Sequence, residues 1–530
     1  MKKAICLLLS LLLMVCSFAG CGGGSTASTF TVALGSDIVS LDPAFAYDFT
    51  TNPVVNQITE GLLTFDQDNQ LQPCLAKSWE QKDDVTYVYQ IRDDVTFSDG
   101  TPMTMDDVMF SIERTMNPDT ASYVQWMFSA VKAVEQTGDW ELTVTLNAPS
   151  VTWKYMFGTT AGHIISKDYY EAHKDNFGTP EGGILGTGAY QYDSWKRGQE
   201  VVLVKNENYW NTETPATMEK LVFKIISEDT TRVTALQSGQ VDFTIEVPTD
   251  MIDTLRSSEN ITLESVDTMG ITYLAFNTQR APFDDVNLRR AISCAIDRES
   301  LQKNITKDAG TIGTALPNSS VLFTSEPERW EEYAQSHPGY TYDLEKAKEY
   351  MAASSVPEGF DCTMLLTEAS TANSYALAIQ EALKELNINV ELVKLSSDEH
   401  TTYQFGGVMD ENGVRDYDMI LAGWEADYPD ICGNIEPLYS GANAGEGGSN
   451  AAAYANSQVD ELITQQSACS DAAERNDLVF EAMDLIIEDT PYVSIAFPVR
   501  LTALNKDFTG FTMNASWIWN LYFKNIKPVA

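Results

Sequence analysis

At 530 residues, with 44% hydrophobic and 10% aromatic side chains, the chain has the material for several folded cores and lacks the composition of a disordered one. Its 76 acidic residues outweigh 34 basic ones, for a formal net charge of −42. That balance argues against nucleic acid, whose phosphates need basic neutralisation, and against the folded body lying on an anionic bilayer.

The first residues read as an export signal. Lys2 and Lys3 precede an apolar run from Ile5 to Val15, too short to span a bilayer stably, and Phe18-Ala19-Gly20-Cys21 follows. This layout resembles the bacterial lipobox, in which the cysteine becomes the diacylated N-terminus, although Phe18 stands where Leu is usual. Residues 1–20 are thus expected to be a signal peptide. Residues 21–29, opening Gly22-Gly23-Gly24-Ser25, are expected to be a lipidated flexible tether. The alternative is an ordinary cleaved signal with an incidental cysteine. No later apolar run approaches about 18 residues, so no membrane-crossing helix is expected.

After the tether, alternation predicts a strand over 30–34, a turn at Leu41-Asp42-Pro43 and a helix over 56–63. Val85, Tyr87, Tyr89 and Ile91 alternate strictly within paired strands spanning 79–97. Thr104 then caps a helix with Asp106 and Asp107 in its first turn, where negative charge suits the helix dipole. Strands follow over 140–146, 190–195, 200–205 and 221–226, then a helix over 229–238 ended by Gly239. Beyond a short strand at 241–243 come a strand over 271–276, helices over 286–295 and 344–353, and a strand over 362–366. A helix over 375–386 and strands over 390–395 and 417–422 complete the series. Strands alternating with helices predict an α/β fold in the second half. The Gly/Ala/Asn-rich stretch 441–455 is the most loop-like interior segment.

Catalytic motifs are missing: there is no GxSxG elbow, no HExxH and no P-loop. Gly186-Thr187-Gly188 lacks the third glycine of a dinucleotide fingerprint. Asp66-Gln67-Asp68-Asn69 opens like a calcium loop, but Leu71 stands where the turn needs glycine, so a solvated turn is expected. With four histidines and no CxxC pair, neither a metal site nor any cofactor is expected. Cys74, Cys294, Cys362, Cys432 and Cys469 read as buried free thiols, one disulfide remaining open. The segment Gly423-Trp424-Glu425-Ala426-Asp427-Tyr428-Pro429-Asp430 stands apart, following a strand where α/β folds commonly bind ligands. Trp424 and Tyr428 offer apolar walls, and Asp427 a partner for a cation such as an α-ammonium. An aromatic turn packed on the core would use the same residues.

Several stretches in order carry a family likeness. They are LDPAFAYDFTTNPVVNQITEGLLTFD, then IRDDVTFSDGTPMTMDDVMFSIER from Ile91, then LGTGAYQYDSWKRGQEVVLVKNENYW from Leu185, LQSGQVD from Leu236, FNTQRAPFDDVNLRRAISCAIDRESL from Phe276, DLEKAKEYMAAS from Asp343 and GWEADYPD. Together they resemble the extracellular solute-binding proteins of ABC importers for oligopeptides and dipeptides, solute-binding family 5. The resemblance implies a two-lobed, periplasmic-binding-protein-like α/β fold of type II with an inserted domain. Lobe I would comprise 30–72, 186–275 and 490–530, the inserted domain 73–185 and lobe II 276–489. It implies a non-enzymatic, monomeric lipoprotein that closes over a peptide and delivers it to permease subunits at the extracytoplasmic face of the membrane. Asp427 matches the aspartate that receives the ligand's α-ammonium. Gly423, Trp424 and Glu425, with Phe49, Thr50 and Thr51, match segments flanking an extended peptide, and Trp424 would line a pocket. Ile431 replaces the usual Pro after Asp430. Arg415, near this loop, is the candidate for the ligand's carboxylate. The same fold with a nickel chelate, glutathione, an opine or a sugar is the first alternative, and a secreted peptide hydrolase the second.

Overall fold

The computed structural model describes residues 28–529, apart from Glu246, Asp308, 313–321 and 323–325. Cys21 and the signal segment lie outside the described residues. Among those described, no helix is long and apolar enough to cross a membrane.

Two large sheets carry the two lobes. One has seven strands in the order Ile261–Asp267, Val499–Asn505, Phe243–Thr244, Thr29–Leu34, Lys220–Ile225, Glu200–Lys205, Tyr190–Lys196. The other has five, in the order Ile388–Leu395, Phe360–Thr367, Met419–Glu425, Gly270–Phe276, Tyr492–Ala496. A separate four-stranded antiparallel sheet holds Ala76–Asp83, Thr86–Ile91, Glu141–Leu146 and Val131–Gly138, in the segment read as an insertion.

Strand sequences follow from what covers them. Ile271, Tyr273 and Ala275 pack into one apolar core, with Tyr439 and Tyr492. Leu274 and Phe276 pack into another, with Ile292 and Leu366. Both faces of this central strand are therefore buried, which explains its nearly unbroken apolar run. Thr104 forms the expected cap: its hydroxyl accepts from the Asp107 N–H, and Asp107 Oδ2 accepts from the Thr104 N–H at 2.9 Å. The five cysteines are free thiols, Cys294, Cys362 and Cys432 buried as expected but Cys74 and Cys469 only half-buried, and Asp66 closes the predicted turn by accepting from the N–H groups of Asp68 and Gln70.

Tertiary contacts move several expected boundaries. The helix expected over 56–63 runs over Asn52–Ile58, because Pro53 favours an early start and a close approach of chains ends it. A Cβ on Gly186 would lie 2.1 Å from the Ile58 carbonyl oxygen, and one on Gly188 2.4 Å from that of Gln57. Gly186-Thr187-Gly188 is thus a packing device that lets two backbones touch. The helix expected over 375–386 runs over Ser370–Leu383, and the strand expected to stop at 422 continues through Glu425. The chain passes between the two large sheets at residues 268–269 and 497–498, where the Thr268 hydroxyl donates to the Pro498 carbonyl at 2.9 Å. Boundaries at 275/276 and 489/490 are therefore displaced: the strands Gly270–Phe276 and Tyr492–Ala496 belong to the second sheet, held there by their ladder.

Candidate functional site

The strand Met419–Glu425 builds the site. On one edge it pairs along its whole length with Gly270–Phe276. On the other it meets Phe360–Thr367 only at Met419 and Ile420. From Leu421 onward, no strand pairs with that second edge among the described residues. The helix Ser397–Gln404 satisfies part of it: His400 Nε2 donates to the Leu421 carbonyl at 3.0 Å, and Gln404 Nε2 to that of Gly423 at 2.9 Å. Gly423 itself is exposed. An open strand edge is the kind of surface that accepts an extended peptide through backbone hydrogen bonds.

Asp427 lies just past the strand end, where the Ala426 N–H reaches the Met269 carbonyl. Its carboxyl accepts the Tyr47 hydroxyl at 2.8 Å, and its backbone carbonyl accepts from the Trp519 indole N–H. Tyr47 stacks on Trp519 with centroids 6.0 Å apart. Tyr47 and Trp519 come from the N- and C-terminal segments beside the first sheet, so both contacts bridge the lobes. Desolvation pushes the Asp427 carboxyl up to about 7, the Tyr47 hydrogen bond acting in the opposite direction. Glu425 is likewise pushed up to about 7 by burial, against the pull of Arg500, and accepts the Met269 N–H at 3.0 Å. The guanidinium of Arg500 lies 5.0 Å from the centre of the Phe49 ring, a ring that is 38% exposed.

The other predicted residues divide by role. Thr50 and Thr51 form a turn whose N–H groups donate to Asp48 Oδ1 at 2.9 and 2.7 Å. The Thr51 hydroxyl accepts the Val39 N–H. Trp424 is half-buried, its indole N–H donating to the Gly433 carbonyl at 2.7 Å. Tyr428 is buried and stacks on Tyr155 at 5.7 Å, which makes it a packing residue. Arg415 must be withdrawn as a carboxylate anchor. It is 1% exposed, and its guanidinium donates to the carbonyls of Gln404 at 2.8 Å, Ala444 at 3.1 Å and Gly448 at 2.8 Å. Those bonds use its donor fork to pin the Gly-rich loop. Asp430, next along the motif, is held ionised below its ordinary range by Arg475, whose Nη1 donates to it at 2.8 Å.

Tyr47, Trp519 and Arg500 are the site residues that sequence reasoning passed over. Tyr47 stands two places before Phe49 in the family-like N-terminal stretch, which was its available signal. Trp519 and Arg500 lie in the C-terminal tail and had none. Between the lobes a cavity of about 300 Å³ opens, lined by Arg232, Val247 and Arg500 on one side and Thr272, Thr371 and Tyr375 on the other. The hydroxyls of Thr249 and Thr371 meet across its wall at 3.2 Å. No cluster of three or more His, Cys, Asp or Glu suited to a metal ion occurs among the described residues. The arrangement offers an acid for a cation, a strand edge for a backbone and a guanidinium within an interlobe cavity.

Residues 70–446 match the family described as bacterial extracellular solute-binding proteins, family 5, middle region. The glutathione-binding protein GsiB of Escherichia coli K12 is 27% identical over 502 residues, covering 94% of this chain and 93% of its own. The ABC transporter-associated periplasmic binding protein DppA of Helicobacter pylori, solved with the peptide STSA, is 26% identical with a TM-score of 0.77. That match covers 94% of this chain and 98% of its own. The substrate-binding protein CtaP of Listeria monocytogenes shares the fold at a TM-score of 0.80 and 19% identity, over 94% of this chain and 99% of its own.

Proposed function

This chain belongs to the bacterial extracellular solute-binding proteins of family 5, and on that premise we propose that it captures short peptides outside the cell and delivers them to an ABC importer. The observation that carries the peptide reading is Asp427 at the end of an open strand edge, facing Tyr47 of the opposite lobe at 2.8 Å. An α-ammonium entering there takes over a carboxylate oxygen now engaged by Tyr47. The peptide backbone extends along Gly423 to Glu425, past Trp424, with Phe49, Thr50 and Thr51 on the opposing lobe. Closure is favoured because the ligand touches both lobes. The two solved or curated relatives that bind a tetrapeptide and glutathione support this reading.

The protein works without a cofactor and as a monomer, anchored through lipid on Cys21 by the 21–29 tether at the extracytoplasmic face. Residues 73–185 form an inserted domain beside lobe I. The membrane partners are the importer's permease subunits.

Calorimetric titration with alanine di- to pentapeptides, free or N-acetylated, tests the reading. Binding that is strong for free amines and lost on acetylation is expected; no heat with any peptide overturns it. Glutathione is the second reading, favoured by the 27% identity to GsiB, and enters the same titration. Recovery of intact peptide after long incubation is expected of a binding protein; turnover beyond stoichiometry would make it a hydrolase.

A further inference from the structure

A second contact between the lobes is made by the segment 149–157, which follows the four-stranded sheet and contains the short helix Trp153–Met156. Tyr155 of that helix is buried and stacks on two rings. One is Phe65 of lobe I, at 6.3 Å and 22°; the other is Tyr428 of lobe II, at 5.7 Å and 4°. The three rings link lobe I, the 73–185 segment and lobe II in one series. Four residues before Tyr155, the Val151 N–H donates to the Ser467 carbonyl at 3.1 Å. Ser467 lies in the last turn of the helix Ser457–Ala468, where carbonyls have no partner within the helix, so Val151 supplies one from the other side.

The contact is packed rather than grazing. Tyr428 and Cys432 are carried by lobe II, yet both are buried in the apolar core that holds Phe65, Trp153 and Phe157. Lys154, exposed beside Tyr155, carries a charge that Asp430 attracts across the seam and Arg475 repels. Next to the rings the seam opens into a cavity of about 90 Å³, lined by Gln81, Asp84 and Lys154 on one side and Ala468 and Ser470 on the other. An apolar centre with a polar, incompletely filled rim is the anatomy of interfaces that form and separate.

We propose that the 73–185 segment is a latch on closure: Tyr155, with Val151 and Lys154, grips lobe II at Tyr428, Ser467 and Asp430 and holds the lobes together whatever the cargo. Opening about the crossings at 268–269 and 497–498 parts Tyr155 from Tyr428 and exposes both rings. The closed form is thus held in part by the protein's own contacts, so a ligand needs less differential affinity to complete closure. The same contacts slow release. Because Tyr428 follows Asp427 directly, the grip also fixes the loop that presents that carboxyl.

Small-angle X-ray scattering of the ligand-free protein, paired with stopped-flow release of a bound alanine tripeptide, tests the latch. Losing the ring stack in Tyr155→Ala should shift the closed-to-open ratio about 2- to 10-fold. That shift reads as a larger radius of gyration and a release faster by a similar factor. Tyr155→Phe, which keeps the ring, should stay close to wild type in both. Lys154→Glu turns a carboxylate toward Asp430 from an exposed position, and should enlarge the protein at low salt but not at high salt. It carries the test alone if the alanine variant does not fold. Scattering unchanged from wild type in Tyr155→Ala, or in Lys154→Glu at low salt, overturns the latch. The scattering needs no peptide, so the latch is decided even if the peptide reading fails. If peptides bind and the variants scatter as wild type does, this proposal alone falls.

Discussion

Replacing Asp427 by Asn should abolish one limb of a pH profile. In the ligand-free protein, desolvation holds the Asp427 carboxyl near pKa 7, and only its ionised form pairs with an ammonium. The free protein therefore carries a proton at acid pH that the complex must release, and affinity falls as pH drops below about 7. At pH 6 about a tenth of the carboxyl is ionised, against about three quarters at pH 7.5. A peptide α-amine with a pKa of about 7.8 loses about a third of its charge at pH 7.5. The product predicts roughly sixfold tighter binding at pH 7.5 than at pH 6, with a maximum between the two pKa values. The groups facing Asp427 are Tyr47, Tyr428 and Glu425, and of these Glu425 also titrates near 7. Calorimetry of a lysine-free tripeptide across this range, in wild type, Asp427→Asn and Glu425→Gln, separates the two acids. The Asn variant should bind about 10- to 100-fold more weakly at pH 7.5 and lack the acid limb, whereas the Gln variant keeps it. An acid limb that persists undiminished in Asp427→Asn would refute the pairing of this carboxyl with the ligand's ammonium.

The same raised carboxyls make a folding prediction of fixed sign. Asp427 and Glu425 bind more protons folded than unfolded between about pH 4 and 7, so they contribute stability at acid pH that is lost as pH rises through about 7. The double variant Asp427→Asn/Glu425→Gln should flatten that part of a thermal-stability profile, and an unchanged slope would contradict the burial argument. Arg475→Met leaves Asp430 buried beside Cys432 without its guanidinium. Denaturant unfolding of lobe II should register a loss of about 3–5 kcal/mol, and a neutral effect would show that the pair is dispensable. Arg415→Met should lower stability and loosen the 443–448 loop to proteolysis while leaving peptide affinity within about twofold of wild type in calorimetry. A larger loss of affinity in a folded variant would return Arg415 to the ligand.

Local chemistry was legible where it decides structure by itself. The capping box at Thr104 and Asp107 needs only four residues, and the alternation of Tyr87, Tyr89 and Ile91 needs only one buried face. The GWEADYPD segment drew notice from its own composition, and Asp427 does face the opposite lobe. What failed was set by distant partners. Trp424 and Glu425 read as loop because their strand character comes from pairing with Ile271 and Gly270. Arg415 looked close to the ligand because it is close in sequence; in space it is wrapped by carbonyls of a loop some 30 residues on. The hinge crossings slipped by several residues because a central strand is equally apolar on either side of a lobe boundary. Arg500 enters the cleft only through that crossing, so no local pattern marks it.

The half-open edge of the strand Met419–Glu425 has a consequence for how the protein meets other chains. Unpaired strand edges recruit strands from neighbouring molecules as readily as they recruit cargo, and sheets grow by that route. Here Gln404 and His400 stop two of the acceptors with side chains, and the opposing lobe, through Tyr47 and Trp519, closes the far end. The exposed register is thus a few residues long and walled at one end. Such a slot admits a short chain and denies a whole strand the run of hydrogen bonds it would need to propagate. The side chains that wall the proposed peptide slot are thus the same ones that shorten the edge open to a neighbouring strand.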